Sequence, residues 1–248
     1  MNKKAQITLL IIISIVVVGA ILVTYAIKTK SNSTKTLQTY SDPEINQINQ
    51  EIQFCVEQRA LDAIYLIGLQ GGYINIPNDH IQTDLSNIAY GLKNRKNTFP
   101  STSKIESEIQ DYIELTTSFC LNQESYLQLT ITQQDPEADI NIKDSEVEIS
   151  VSITTSITKD DRTYELNHPY KTTIPIRLGR IHKTINEIIK KHLEDPNYID
   201  ITYLTSLEYE IVFTPFDDQT LIYTITDEES KINEIHYSFL FGIEQWKI

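Results

Sequence analysis

Only two cysteines, Cys55 and Cys120, occur in 248 residues. Without a nearby histidine they cannot supply the four ligands of a structural zinc site. One methionine, one tryptophan and seven glycines complete the short list of scarce residues. Three of the glycines fall within Gly68-Leu69-Gln70-Gly71-Gly72-Tyr73-Ile74. No strand pattern precedes that string and no Lys-Ser/Thr follows it, so it cannot be a phosphate loop. It reads instead as a helix C-cap. The five histidines, His80, His168, His182, His192 and His236, show no HExxH or HxH spacing. His182 and His192 read as solvated helix positions. The nucleophile elbow and kinase motifs are missing as well, and no catalytic residue can be named. No cofactor is expected.

Charge of either sign is absent from Ile7 to Ile27, where only Thr8, Ser14, Thr24 and Tyr25 are polar. A helix needs about 20 such residues to cross the hydrocarbon of a bilayer. The run is too long for the apolar core of a cleaved secretory signal, and Thr24-Tyr25-Ala26 fits a small-residue cleavage site poorly. An uncleaved anchor fits the length and the leading Lys3 and Lys4. Positive charge flanks the run on both sides, so it does not set the orientation. All 34 acidic residues follow it. Four of the 21 basic residues (Lys3, Lys4, Lys28, Lys30) precede residue 31, leaving 17 and a net charge of −17. Such a surface argues against nucleic acid as a partner, because neutralising phosphates takes Lys/Arg patches.

Lys3-Lys4-Ala5-Gln6, followed directly by the apolar run, resembles the class III signal peptides of archaeal type IV pilins. That resemblance implies a prepilin-peptidase cut between Ala5 and Gln6 that leaves the apolar helix on the mature chain. Many pilins carry an early glutamate where this chain has Ile7-Thr8-Leu9-Leu10-Ile11. An uncleaved anchor and a processed subunit therefore both stand. Asn32-Ser33-Thr34 is an N-glycosylation sequon, but a chance match in a Ser/Thr-rich segment is the better explanation of it.

Residues 1–27 are thus expected to be a signal or transmembrane helix, and 28–42 a polar stalk. A helical region with a long loop (43–123) and a β-rich region with one helix (124–248) should follow. Asp42-Pro43 opens a helix with an N-cap and a proline at its first position. Its apolar residues recur from Ile45 to Ile67 at helical spacing. Tyr73 to Pro100 looks irregular, an excursion or lid-like loop with room for short strand or helical pieces, that could form part of a ligand surface. Ser101 or Ser103 caps a second helix with Ile105, Ile109, Ile113 and Cys120 on one face. After Asn122 the period changes to two, clearest in Val147, Ile149, Val151 and Ile153. A helix from Leu178 to Glu194 ends at Asp195-Pro196. Three strands close the chain, at Leu207–Phe213, Leu221–Ile225 and Ile235–Ile243. The last of them offers an edge for a partner. This order implies an α+β fold dominated by antiparallel sheet.

The string CVEQRALDAIYLIGLQGGYI (55–74) resembles uncharacterised membrane-anchored surface proteins of small-genome archaea. The resemblance implies cell-surface placement and carries no catalytic residues. A Cys55–Cys120 disulfide suits that location better than two buried free thiols. Acidic pairs at Asp160-Asp161, Asp217-Asp218 and Asp227-Glu228-Glu229 read as turns rather than calcium loops. The expected function is a single-pass membrane protein with an extracytoplasmic structural or adhesive domain, assembling with itself or with a surface protein. A ligand-binding ectodomain is the alternative, and an anchored hydrolase ranks last.

Overall fold

The computed structural model describes residues 40–121, 126, 128–196 and 199–246. The apolar run, Ala5, Gln6 and Asn32 lie outside these. Among the described residues no helix is long and apolar enough to cross a membrane.

Helix α1 (Pro43–Leu69) begins where Asp42 Oδ1 accepts the Glu44 N–H at 3.0 Å. Ile45, Ile48, Ile52, Val56, Ala60, Ala63, Ile64 and Ile67 recur every three to four residues and are fully buried. The helix ends in a Schellman turn. Gly72 N–H reaches Ile67 C=O at 2.9 Å, and Gly71 and Gly72 hold φ of 70° and 91°. That left-handed backbone accounts for the glycine pair. Strands β1 (His80–Gln82), β2 (Asn87–Lys93) and β3 (Lys96–Asn97) come next, and then helix α2 (Thr102–Thr117), capped by Ser101. The segment expected to be an excursion with short strand or helical pieces carries three strands. They pair with one another, and β2 joins the remote β12 at Tyr90 and Leu92, which no local pattern announces.

Six strands follow: β4 (Thr130–Gln133), β5 (Glu137–Ile142), β6 (Val147–Ser152), β7 (Thr155–Lys159), β8 (Arg162–Leu166) and β9 (Pro169–Ile174). They pair in the orders β4-β7-β8 and β5-β6-β9. β4–β5, β6–β7 and β8–β9 are each successive in the chain. The two ladders are thus one meander of three long strands, all broken at the same level (134–136, 153–154, 167–168). Pro136 sits in the first break, and Gln134 N–H to Thr154 C=O at 2.9 Å carries pairing into it.

Helix α3 (Leu178–Glu194), the short α4 (Ile201–Thr205) and strands β10 (Glu210–Pro215), β11 (Thr220–Ile232) and β12 (Ile235–Glu244) complete the fold. The second sheet has the order β1-β2-β12-β11-β10, with β3 beside β2. It is antiparallel except where β2 runs parallel to β12. The last strand is therefore flanked by β11 along its length and by β2 at Gly242 and Ile243, so its C-terminal part is interior and is not the partner edge its sequence suggests. The real edge on that side is β10. The class is α+β with mainly antiparallel sheets, and residues 39–248 form one unit.

α1 spans both sheets. Its first half meets β9, where Gln53 Nε2 donates to Lys171 C=O at 3.1 Å. Its second half meets β12, where Tyr237 OH donates to Ile64 C=O at 3.2 Å. Gly68 lies so close to Ser238 C=O that a Cβ there would collide with it.

Two hairpins turn on residue pairs with left-handed backbone: Asn94-Arg95 (φ 51° and 61°) and Asn233-Glu234 (φ 49° and 67°). Both match the two-residue type I′ turn, which normally takes Asn-Gly. Neither carries glycine, so both were invisible as turn motifs. A left-handed residue with a Cβ costs roughly 1–2 kcal/mol, and glycine returns part of that as backbone entropy. Glu234→Gly should therefore raise stability by about 0.5–1 kcal/mol, read as a higher denaturation midpoint at unchanged m-value.

Candidate functional site

Cys55 and Cys120 form a disulfide with Cα atoms 5.7 Å apart across 65 residue steps. Cys55 belongs to α1. Cys120 lies three residues beyond α2 rather than on its helical face, because Thr117 ends the helix. The bond joins the outer helix to α1 after the α2 ladder has stopped. Closing a loop of this size contributes roughly 2–4 kcal/mol.

The histidines are dispersed, and among the described residues no group of three His, Cys, Asp or Glu side chains could hold a metal. Two of them depart from their solvated reading. His192 is buried: its Nε2 accepts from Tyr223 OH at 2.8 Å and its Nδ1 faces Pro196 C=O at 3.4 Å. His182 stacks on Phe99 at 5.0 Å, and its Nε2 donates to Pro100 C=O at 2.9 Å. Helical phase places both toward neighbouring elements that the helix pattern alone does not reveal.

The acidic pairs divide. Asp160-Asp161 and Asp217-Asp218 sit in hairpin turns as expected. Asp227 does not: it lies inside β11 with no exposure. There β11 carries three residues, Glu228 to Ser230, with no opposing partners on β12. This bulge turns Asp227 onto Arg177, the residue before α3. Arg177 Nε donates to Asp227 Oδ2 at 2.9 Å, and Nη2 donates to Oδ1. Nη1 reaches Glu208 at 2.7 Å and Glu229 at 2.9 Å. Ser230 Oγ and the Glu229 N–H also donate to Asp227. Tyr209 lies under the guanidinium at 5.2 Å, and burial pushes its phenol up to about 12. Burial opposes charge on Asp227, but Arg177, Ser230 and the Glu229 N–H outweigh it and hold the carboxyl below its ordinary value. Every carboxylate of this cluster meets a donor, so the arrangement fastens α3 to β11.

A concavity of about 320 Å³ lies elsewhere, on the outer face of β5, β6 and β9. Registration builds it from two rows of polar side chains. Asp139, Ser150 and Lys171 form one row, and Asn141, Glu148 and Thr173 the other. Lys143, in the β5–β6 turn, donates to Glu148 at 2.5 Å, and Asn141 Nδ2 donates at 3.1 Å. The Lys143 ammonium, with help from Asn141 and Lys171, keeps the Glu148 carboxyl below its usual range despite some desolvation. The lining carries Asp139, Glu148 and Lys171, and Lys143 at its rim is shared between Glu148 and Glu146, so this floor is polar and hydrogen-bonding. The alternation of β6 is legible in sequence, but β5 and its alignment with β6 and β9 are not.

A third feature marks where the N-terminal segment joins this unit. Lys159 Nζ, at the β7–β8 turn, bridges Asp42 at 3.1 Å and Glu44 at 2.8 Å. Tyr40 OH donates to Glu165 C=O at 3.2 Å. Hydrogen bonds from Glu44 and Asp42 raise the pKa of Lys159. The helix N-cap thus also anchors the chain entry to a hairpin.

Removing one partner of a buried ion pair leaves an uncompensated charge. Asp227→Asn should cost roughly 3 kcal/mol, while Arg177→Met with Asp227→Leu should recover most of it; chemical denaturation checks both. Acid should act in two windows. Burial keeps His192 neutral below its ordinary value. As pH falls below about 6.5, the unfolded chain therefore binds a proton that the folded one resists, and stability declines. Asp227, with a lowered pKa, contributes stability that is full above about pH 4 and lost as pH falls through its folded value. Thermal midpoints against pH should show both slopes, and His192→Phe should abolish the upper one alone.

No protein-family model matches the chain, and neither a curated protein nor a solved structure is significantly similar to it.

Proposed function

We propose that this chain is a membrane-anchored surface protein whose α+β unit is displayed outside the cytoplasm for structural or adhesive contacts. The Cys55–Cys120 disulfide carries the reading, because such bonds persist in oxidising compartments and are rare in the cytosol. The uncharged run Ile7–Ile27 supplies the anchor. The Lys3-Lys4-Ala5-Gln6 start supports a pilin-like version, cut after Ala5. A buried polar interior in which acids, amides and histidines serve as fasteners suits a rigid display module. Archaeal cell-surface placement, single-pass topology and a self or surface-protein partner belong to the same proposal.

A second reading is ligand capture on the β5-β6-β9 face, favoured by its polar cleft. Its chemistry suits an uncharged polyhydroxyl or an extended peptide rather than an anion.

The primary reading is tested on intact cells that make the protein. External protease should release fragments of residues 40–246, and a membrane-impermeant maleimide should label the chain only after reduction. Intact mass should show either Met1 retained, for the plain anchor, or loss of Met1–Ala5, for the processed form. Protection from protease together with two reactive thiols in unreduced protein would sink the extracytoplasmic assignment.

A further inference from the structure

Sheet edges expose unpaired backbone groups, and proteins commonly guard them with charge, proline or short length. Most of the described edges here follow that rule. β1 has three residues. β5 carries Glu137 and Asp139, β8 carries Arg162 and Glu165, and β9 carries Pro169 and Lys171. β4 has four residues, none charged, with Ile131 its single apolar side chain. β10 departs from the pattern. It reads Glu210-Ile211-Val212-Phe213-Thr214-Pro215, three consecutive apolar residues without a charge among them. Its inner side pairs with β11, and no strand lies on its outer side among the described residues. Val212 is 48% exposed and Phe216, just beyond the strand, 47%. Ile211 and Phe213 are only half-buried, on the helix-covered face of the sheet, where the Phe213 ring meets Tyr223 at 5.8 Å.

We infer that β10 is the contact between two copies of this chain, pairing antiparallel with its own counterpart about Val212. The occupant follows from what the edge would face. About a two-fold axis at Val212, that residue lies opposite itself, Ile211 opposite Phe213, and Glu210 opposite Thr214. Aromatic and β-branched partners are favourable cross-strand pairs, and like charges directly opposed are not. In this register the one charge of the strand meets a hydroxyl rather than its own copy. No other described edge carries three consecutive apolar residues, so β10 is its own best match. Isologous contacts of this kind close into dimers.

The pair is small. One strand a side falls below the area of a standard stable interface, and both copies are acidic, so the dimer is weak and salt-dependent. Screening of the like net charge strengthens it, the reverse of the behaviour expected for a basic partner. Neither the register nor the salt dependence rests on the anchoring proposed above.

The test uses the full chain in detergent solution. Sedimentation velocity at rising protein concentration should show a monomer–dimer equilibrium that tightens between 0.1 and 0.5 M salt, on the order of the screening change. Val212→Lys should weaken it at least tenfold with an unchanged thermal midpoint. A dimer that survives Val212→Lys is held elsewhere, and a monomer at all concentrations and salts has no such edge pairing; either result overturns the inference. Geometry is read separately by crosslinking. With Cys55 and Cys120 bonded, Val212→Cys provides a single thiol and should oxidise to a covalent dimer. Leu85→Cys, at a site 98% exposed on another loop, should not. Glu210→Cys and Thr214→Cys proteins should crosslink when mixed but not when alone. Equal crosslinking at Leu85, or none at Val212, refutes the register.

Discussion

Eight apolar side chains of α1, from Ile45 to Ile67, are fully buried along 27 helical residues. A helix of that length runs about 40 Å, long enough to pass under the three-stranded meander and continue beneath the second sheet. Each layer buries its apolar face against this stripe, and neither sheet has another partner of comparable length. Fully burying one isoleucine contributes roughly 1.5–3 kcal/mol, so the stripe dominates the packing of both halves. The Schellman glycines and Gly68 belong to the same constraint. They stop the helix and let its last turn approach β12 at backbone distance.

Around this stripe the interior polar groups are placed as pins. Asn49 Oδ1 receives both Tyr170 OH at 3.0 Å and His168 Nε2 at 2.9 Å, locking α1 to β9. Glu108, almost fully buried on α2, accepts the N–H groups of Ile74 and Asn75 and pairs with Lys104. It thereby ties the segment after the Schellman turn to α2. Arg177 and Asp227 do the same between α3 and β11. Satisfied networks of this kind rigidify a core, and a half-satisfied one would be worse than apolar packing. What such an interior leaves for partners is its surface: a polar cleft, an acidic exterior and an apolar strand edge.

The two helices with clean 3.6-residue periodicity, α1 and α3, were readable within a residue or so, as were their stops at Gly71-Gly72 and Asp195-Pro196. Both signals are local: amphipathic spacing and backbone stereochemistry act within a few residues of themselves. The strands with strict alternation were readable for the same reason. The β1–β3 segment was not, because β2 lacks alternation, its neighbours β1 and β3 are only three and two residues long, and its place in the sheet is set by β12, about 150 positions away. Asp227 was misread because a run of three acids looks like a turn unless the opposing cation is known, and Arg177 lies 50 residues earlier. The cleft was legible only through β6, whose alternation puts Glu148 and Ser150 outward; β5 went unread, and the alignment into two rows is a matter of register.

By itself the sequence determined the helix caps, the alternating faces, the acidic exterior, the absence of recognisable catalytic motifs and the pair of cysteines available to join. Those properties follow from side-chain periodicity and backbone stereochemistry, which need no distant partner. Only the tertiary structure decided that the C-terminal part of the last strand is interior and β10 is the edge. It also decided that His192 is buried against Tyr223, and that Asp227 faces a guanidinium instead of solvent. Each of those outcomes depends on which remote segment supplies the missing hydrogen bond or counter-charge, and remote pairing is encoded in the sum of the packing rather than in any stretch of chain.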